Sequence, residues 1–293
     1  MATGQQGGGA PARASELRSI RVTSHLETWR KAVRHALTLV GAGVLIVLVV
    51  ASRGDDIHTY WSVNAAHPYQ DLVGEPAAFL YSPVAALVAL PLHLLPFGAA
   101  RILFIGLDMA CLVYLAGPWA LALVALYPVT QEISFGNIEL LMAAAIVLGF
   151  RYPVAWSFIL LTKVTPGVGL LWFAVRREWS RLAMALGATA ALAVVSAVLE
   201  PAWWPAWAAT LLASAGHGVS GVDLLPAPLA VRLLGAAALV VWGARTDRRW
   251  VVPVAATLAV PVVWWATPSM LIAVVPLVRP RVHETLARGQ PPG

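Results

Sequence analysis

The chain has 293 residues, of which 59% are hydrophobic and only 12% are charged, and its mean hydropathy is +0.76. These values exclude a soluble globular domain and predict an all-α integral membrane protein with several spans. The net charge is +6, and the sequence contains no patterned combination of basic and aromatic residues. The predicted partner is therefore the lipid bilayer, and no nucleic acid is expected.

The predicted elements begin after a polar stretch. Residues 1–32 start with glycines and glutamines and are predicted to be a disordered cytoplasmic tail. Residues 33–279 form the predicted transmembrane domain, and 280–293 form a second cytoplasmic tail. Apolar runs of spanning length lie at 33–51, 83–96, 102–117, 154–175, 182–199, 229–242 and 251–278. With shorter segments between them, they predict about ten membrane segments, some broken or half-length.

Arginines and lysines decide the predicted orientation. They cluster in the first 35 residues and again at 176–181, 245–249 and 279–288, and such clusters stay in the cytoplasm. The loop after residue 51 is acidic, and 200–226 contains no arginine or lysine. We therefore expect a multi-pass protein of the plasma membrane with both termini cytoplasmic and these two loops facing outward.

The first outward loop, "GDDIHTYWSVNAAHPY" at 54–69, concentrates titratable and aromatic side chains. A plain connector between helices needs none of them, so the cluster suggests a chemical role. His58 and His67 are interpreted as ordinary loop histidines.

Between 117 and 151 the apolar stretches are only nine to thirteen residues long and flank the polar "PVTQEISFGNIE". At about 1.5 Å per residue, such helices cross half a bilayer or little more. One interpretation is two half-length helices that meet at a break, where binding sites often lie. Gln131, Glu132, Asn137 and Glu139 are then second-rank candidates for a site. The alternative is a full hairpin whose polar tip reaches the cytoplasm.

Three ionisable residues lie inside apolar runs, where each is a functional candidate. Lys163 stands thirteen residues before Arg176, which on a continuous helix places it about 20 Å towards the outer face, where an ammonium suits a lipid phosphate. Pro166 should loosen this helix. Arg232 is a second candidate phosphate ligand or an arginine that extends to the interface. Asp108 is expected to pair with a buried cation.

Several motifs occur in the order seen in one known family. Asp56 precedes Tyr60 by four positions, and "FLYSPVAALVALPLHLLP", "FGNIELLMAAAIVLGF" and "LLTKVTPGVGLLWFAVRREW" follow. Over about residues 33–180 the chain thereby resembles glycosyltransferase family 87. The resemblance implies a GT-C-like helical bundle that uses a polyprenyl-phosphate sugar donor and a lipid or glycan acceptor. Mannose is the favoured hexose because it is common among members.

The resemblance also implies roles for residues. Asp56 is the expected general base of an inverting transfer on the outer face, with Asp55 as the fallback. Lys163 and Arg232 are the expected ligands of the donor phosphate. The expected substrate contacts are Tyr60, Trp61, Tyr81, Asn137, Glu139 and His217, whereas Trp203, Trp204 and Trp207 are assigned to an interfacial aromatic belt.

The chain departs from the family pattern in two places. It has Gly136, Asn137, Ile138 and Glu139 where members tend to have G-Q-x-N. The late histidine of the family is absent near Ala266 or Thr267, and His217 is its only suggested substitute. These departures keep open a second hypothesis, a lipid or solute transporter or a catalytically silent lipid-binding protein.

No metal site and no cofactor are predicted, because the histidines are scattered and Asp55 and Asp56 are adjacent in sequence. A divalent cation between Asp56 and a lipid phosphate is left open. Walker and dinucleotide glycine patterns are absent, which favours a lipid-carried donor over a soluble nucleotide sugar.

Overall fold

The computed structural model describes residues 10–71, 78–214 and 223–278, with side chains described from residue 27 onward. These parts form α-helices joined by 3-10 turns, and no strand occurs among them. The first seven helices are α1 (Ala10–Ala51), α2 (Asp55–Trp61), α3 (Pro83–Ala89), α4 (Phe97–Ala116), α5 (Ala120–Leu123), α6 (Tyr127–Phe135) and α7 (Glu139–Gly149). The remaining seven are α8 (Trp156–Thr162), α9 (Leu171–Val175), α10 (Trp179–Leu199), α11 (Trp203–Ser214), α12 (Leu229–Arg245), α13 (Val251–Ala259) and α14 (Val274–Val278).

Three helical stretches are long and apolar enough to cross a membrane, namely Glu27–Ala51, Phe97–Leu123 and Trp179–Leu199. In the first and third, only 11% of the most apolar window is buried inside the protein, so most of their side chains are free to face lipid. A bent pair, α6 and α7, raises the count to four if it is one span. The protein is therefore an all-helical membrane protein with three to four candidate spans. The number of about ten and the side of the termini stay predictions.

Helix α1 begins at Ala10, so it includes most of the residues predicted as a disordered tail. The predicted division into tails and a transmembrane domain is not tested by this observation. The second tail, 280–293, lies outside the described residues.

Two of the predicted runs are interrupted by proline-containing segments. Between α8 and α9, Lys163 has an extended backbone (φ −126°, ψ 102°), and a 3-10 turn over Thr165–Leu170 follows. Pro166 has no N–H for a helical hydrogen bond and clashes with the preceding turn, which favours this interruption. The continuous helix predicted from Lys163 to Arg176 is therefore wrong, and the distance of about 20 Å derived from it does not hold. The run after α13 is interrupted in the same way around Pro261, up to a 3-10 turn over Thr267–Ala273.

Helices α6 and α7 meet at an angle of 106°, as the two-half-helix interpretation predicts. The bend lies at Gly136, which ends α6 with a left-handed backbone (φ +70°) that glycine adopts without steric cost. A Cβ atom at this position would overlap the side chain of Ile57 from α2. The Gly54 N–H also donates a hydrogen bond to the Ser134 carbonyl (3.0 Å). The segment that begins at Gly54 is thus fixed directly over the bend.

The buried indole of Trp156 positions α8. Its ring fits against Gly149 at the end of α7 and against Gly169 in the 3-10 turn, and a Cβ atom at either glycine would overlap it. Packing at this density leaves little room for α8 to slide. Because α8 ends at Thr162, this contact fixes the backbone from which the Lys163 side chain extends.

Candidate active site

A cavity of about 920 Å³ lies between α2, the α6–α7 bend, the Lys163 break, α11 and the non-helical segment after α13. Its polar lining residues are Asp55, Asp56, Thr59, Tyr60, Tyr81, Gln131, Asn137, Thr162, Lys163 and Thr165. Residues from four separated parts of the sequence therefore meet in one space. Among these lining residues, Lys163 is the single cation and Asp55 and Asp56 are the two carboxylates.

Asp56 is the more sheltered of the two carboxylates. Asp55 is exposed, whereas Asp56 is half-buried on the face of α2 that meets the bend. Burial raises the pKa of Asp56 from 3.8 to about 6, opposed by the positive charge of Lys163 and assisted by the negative charges of Glu139 and Asp55. None of the described residues donates a hydrogen bond to this carboxylate, so its lone pairs are available to a bound hydroxyl.

Lys163 lines the cavity and is held by an ion pair with a carboxylate in the protein interior. Its Nζ donates to Oε1 of Glu139 at 2.6 Å, and the lysine side chain is 17% exposed while that of the glutamate is completely buried. The Thr267 hydroxyl lies 3.5 Å from the same oxygen and accepts the Trp264 N–H at 3.1 Å. Glu139 therefore faces the lysine and does not line the cavity, which differs from its predicted role as a substrate contact.

Two tyrosines form a hydrogen-bonding edge of the cavity. The hydroxyls of Tyr60 and Tyr81 are 3.1 Å apart, and the Tyr60 ring stacks on Phe104. Burial raises the pKa of Tyr60 well above its usual value and that of Tyr81 to about 12. Both phenols therefore stay protonated at neutral pH and provide hydrogen bonds to a ligand, which leaves base chemistry to the carboxylates.

The chain around Tyr81 is fixed by three hydrogen bonds. The Leu80 carbonyl accepts the indole N–H of Trp207 (3.0 Å), and the Tyr81 carbonyl accepts the Tyr69 hydroxyl (3.0 Å). The Ser82 hydroxyl donates to the Leu161 carbonyl (2.5 Å) at the end of α8. Trp207, assigned to an interfacial belt from the sequence, also lines the cavity.

Two predicted site residues, Trp61 and His217, lie elsewhere or outside the described residues. Trp61 points away from the cavity, stacks on His93 and donates its indole N–H to the Leu95 carbonyl (2.8 Å). Asn137, in contrast, lines the cavity at the bend, and its contact with substrate stays a prediction. His217 lies outside the described residues.

Arg232 is buried and its guanidinium is engaged by the backbone. It donates to the carbonyls of Ala227 (2.9 Å), Val260 (2.7 Å) and Pro261 (2.6 Å), with a longer bond to Leu258 (3.4 Å). Asp223 lies 3.9 Å away. The carbonyls of Leu258, Val260 and Pro261 belong to the run that is interrupted after α13, so Arg232 provides hydrogen bonds to carbonyls that have lost their helical partners. The geometry does not support a contact with phosphate.

No residue of the non-helical segment over 260–266 was among the site residues predicted from the sequence, although the missing family histidine falls near its end. Its lining residues are Val260, Pro261, Val262, Trp264, Trp265 and Ala266. High hydropathy makes this segment look like the middle of a span. Pro261 was the available signal, because a proline there removes a helical hydrogen bond.

Two further buried carboxyls, Asp108 on α4 and Glu132 on α6, lie close enough to Glu139 to interact electrostatically. Glu132 accepts the Leu140 N–H (3.0 Å), whereas neither oxygen of Asp108 has a hydrogen-bond partner in the described part of the chain. No group of three histidine, cysteine or acidic residues within the described ranges is arranged to hold a metal ion. A divalent cation between Asp56 and a lipid phosphate would need only one protein carboxylate, so this observation does not test it.

Comparison with known proteins decides the family. The profile of glycosyltransferase family 87 matches residues 79–288, which is more than half of the chain. The chain belongs to glycosyltransferase family 87. It is also 29% identical to a polyprenol-phosphate-mannose-dependent alpha-(1-2)-phosphatidylinositol pentamannoside mannosyltransferase of Mycobacterium tuberculosis (strain CDC 1551 / Oshkosh), over 39% of this chain and 33% of the relative. The chain thus matches about a third of the length of that relative. No solved structure matches it at a significant level.

Proposed function

We propose that this family 87 protein transfers a hexose, preferentially mannose, from a polyprenyl-phosphate donor to a hydroxyl group of a lipid or glycan acceptor. The observation that carries the proposal is that Asp56 and Lys163, 107 positions apart in the sequence, line one cavity. A transferase of this kind needs a base for the acceptor and a cation for the departing phosphate in the same space. Membership of a glycosyltransferase family favours this function over a transporter.

In the proposed reaction the acceptor oxygen attacks the anomeric carbon while the bond from that carbon to the phosphate oxygen breaks. The hydroxyl proton passes to the Asp56 carboxylate. The phosphate keeps the bonding electron pair and leaves as a polyprenyl phosphate monoester with one additional negative charge. The Lys163 ammonium stabilises this charge, which develops mainly in the transition state and is therefore an effective target for catalysis.

The pKa of Asp56 suits it for this role. A carboxyl with a pKa of about 6 is mostly ionised at pH 7, yet it accepts a proton more readily than an ordinary aspartate. Asp55 is exposed and lacks this shelter, so Asp56 is the preferred base.

The size and lining of the cavity fit two sugar-sized ligands. Its volume of about 920 Å³ lies at the upper end of the range of roughly 300–1,000 Å³ for small-molecule sites. Tyr60, Tyr81 and Asn137 offer hydrogen bonds to sugar hydroxyls, and Trp207 and Trp264 offer flat apolar faces to ring C–H groups. The donor named for the mycobacterial relative, polyprenol-phosphate-mannose, supports mannose as the first sugar to test.

The proposal includes the orientation derived from the charged residues. The cavity opens to the outer side of the plasma membrane, about ten segments enclose it and both termini lie in the cytoplasm. The acidic composition of the loop carrying Asp56 and the arginine cluster near Arg176 support this assignment.

The function is tested by sugar transfer with purified protein and a labelled polyprenyl-phosphate mannose. We expect transfer by the wild type, with the product anomer inverted relative to the donor, and at least about a hundredfold loss in Asp56→Asn and Lys163→Ala. Asp247→Asn and Arg245→Ala are matched controls, because both side chains are exposed outside the cavity. Equal activity in all variants, or no transfer by the wild type to any glycolipid acceptor, would refute the assignment.

A further inference from the structure

The positive charge of Lys163 is already balanced by a carboxylate before any donor binds. Nζ donates to Glu139 Oε1 at 2.6 Å, and an ammonium carries three N–H donors, so the other two remain for a ligand. The lysine is partly exposed to the cavity and the glutamate is completely buried. A phosphate in the cavity would therefore contact the lysine from the cavity side, while the carboxylate contacts it from the protein interior.

From this geometry we infer that Glu139, assisted by Thr267, is a positioning residue that holds the Lys163 ammonium at the cavity wall for the donor phosphate. The inference rests on the proposed function, in which Lys163 binds that phosphate. Glu139 itself touches neither donor nor acceptor.

Three separate segments hold the Glu139 carboxylate. Glu139 is the first residue of α7, directly after the Gly136 bend, so the bend fixes its backbone. The buried Thr267 hydroxyl approaches Oε1 at 3.5 Å and is itself oriented by the Trp264 N–H. Lys163 completes the set from the break after α8. The Glu139 carboxylate thus connects Lys163, the proposed phosphate ligand, to the cavity wall that carries Trp264.

A lysine at this place needs such a partner. Its side chain is long and flexible, and an ammonium in a low-dielectric wall that lacks a counter-ion loses its proton readily. The groups that face Lys163 electrostatically are Glu139, Glu132, Tyr81 and Asp56. Without Glu139, the remaining carboxylates that attract the ammonium include Asp56, the proposed base. Glu139 therefore keeps the lysine charged and also keeps it from pairing with the base.

The test compares Glu139→Gln with the double variant Glu139→Gln/Lys163→Arg, measuring donor KM and kcat separately between pH 6.5 and 9. We expect Glu139→Gln to raise donor KM at least about tenfold and to lose activity as pH rises, because the unpaired lysine becomes neutral. The double variant should regain activity at the alkaline end, since a guanidinium stays protonated. A merely structural role would lower stability without creating an alkaline loss that arginine removes.

Glu178→Gln is the matched control. Glu178 pairs with Arg176 and Arg181 through a carboxylate outside the cavity, so its loss should leave donor KM unchanged. Thr267→Val is the milder variant if Glu139→Gln does not fold, and it should raise donor KM about two- to fivefold for one lost hydrogen bond. An unchanged donor KM in Thr267→Val would then overturn the inference.

The outcomes separate the inference from the proposed function. If Lys163→Ala leaves donor KM at the wild-type value, the proposed phosphate contact itself fails. If Lys163→Ala raises donor KM but Glu139→Gln neither raises it nor adds an alkaline loss, the positioning role is wrong and the proposed function stands.

Discussion

Replacement of Asp56 by asparagine should inactivate the protein and stabilise it at the same time. The carboxylate is held in a partly dehydrated place that disfavours its charge, which is useful for a base and costly for the fold. Asparagine keeps the size of the side chain and removes the charge. Activity and stability are therefore expected to change in opposite directions.

The magnitude follows from the pKa. A rise from 3.8 to about 6 means that the folded protein binds this proton more tightly than the unfolded chain, so the ionised group destabilises the fold by about 3 kcal/mol at pH 7. The cost is absent below pH 3.8 and grows as pH rises towards 6. Asp56→Asn should recover most of this amount at pH 7, while transfer falls by about 10²–10⁴-fold with the loss of the base.

The assay is thermal unfolding of the purified wild type and Asp56→Asn in one detergent, at pH 7.5 and at the lowest pH the wild type tolerates. We expect a higher Tm for the variant at pH 7.5 and a smaller difference at low pH. Asp55→Asn is the control, since its carboxylate is exposed and should change Tm little. A variant that is less stable than the wild type at pH 7.5, or a difference that grows on acidification, would refute the reasoning.

Three further predictions concern the same site. The kcat/KM of the wild type should fall about tenfold per pH unit below about pH 6, because protonated Asp56 cannot accept the acceptor proton; a flat profile down to pH 5 would exclude this base. Gly136→Ala should lower the free energy of unfolding, measured through Tm, by more than about 2 kcal/mol, because left-handed strain of about 1–2 kcal/mol adds to the overlap of its Cβ with Ile57. The double variant Gly136→Ala/Ile57→Ala should relieve the overlap but keep the strain. Arg232→Met should lower stability by at least about 3 kcal/mol through unpaired carbonyls while donor affinity of the folded fraction is kept; lost affinity at unchanged stability would indicate a phosphate ligand after all.

Asp56 and Lys163 were both candidates from the sequence, and the structure brings them to one cavity, while their roles stay predictions. The resemblance to family 87 singled out Asp56, and Lys163 stands out as an ammonium inside an apolar run. The bend at Gly136 was also predictable, since half-length helices flank a polar stretch. What sequence reasoning could not supply was the partner of Lys163, because Glu139 and Thr267 become its neighbours only after the chain folds.

Arg232 and Trp61 show why the remaining roles were not predictable. An arginine in an apolar run has the same sequence signature whether it binds phosphate or backbone carbonyls, and the decision depends on the break near Pro261. Trp61 follows Tyr60 directly, but in helix α2 the residue four positions after Asp56 shares its face and the next one turns away by about 100°. Treating 55–61 as a loop concealed this difference.

The central claim is that Asp56 acts in chemistry and Lys163 in donor binding within one cavity. The most direct measurement is the Kd of a non-transferable polyprenyl-phosphate sugar analogue for the wild type, Asp56→Asn and Lys163→Ala. We predict that Asp56→Asn binds within about twofold of the wild type or more tightly, because a negative charge is removed, and that Lys163→Ala binds at least about tenfold more weakly. Equal affinities for all three proteins, or a loss confined to Asp56→Asn, would contradict the account.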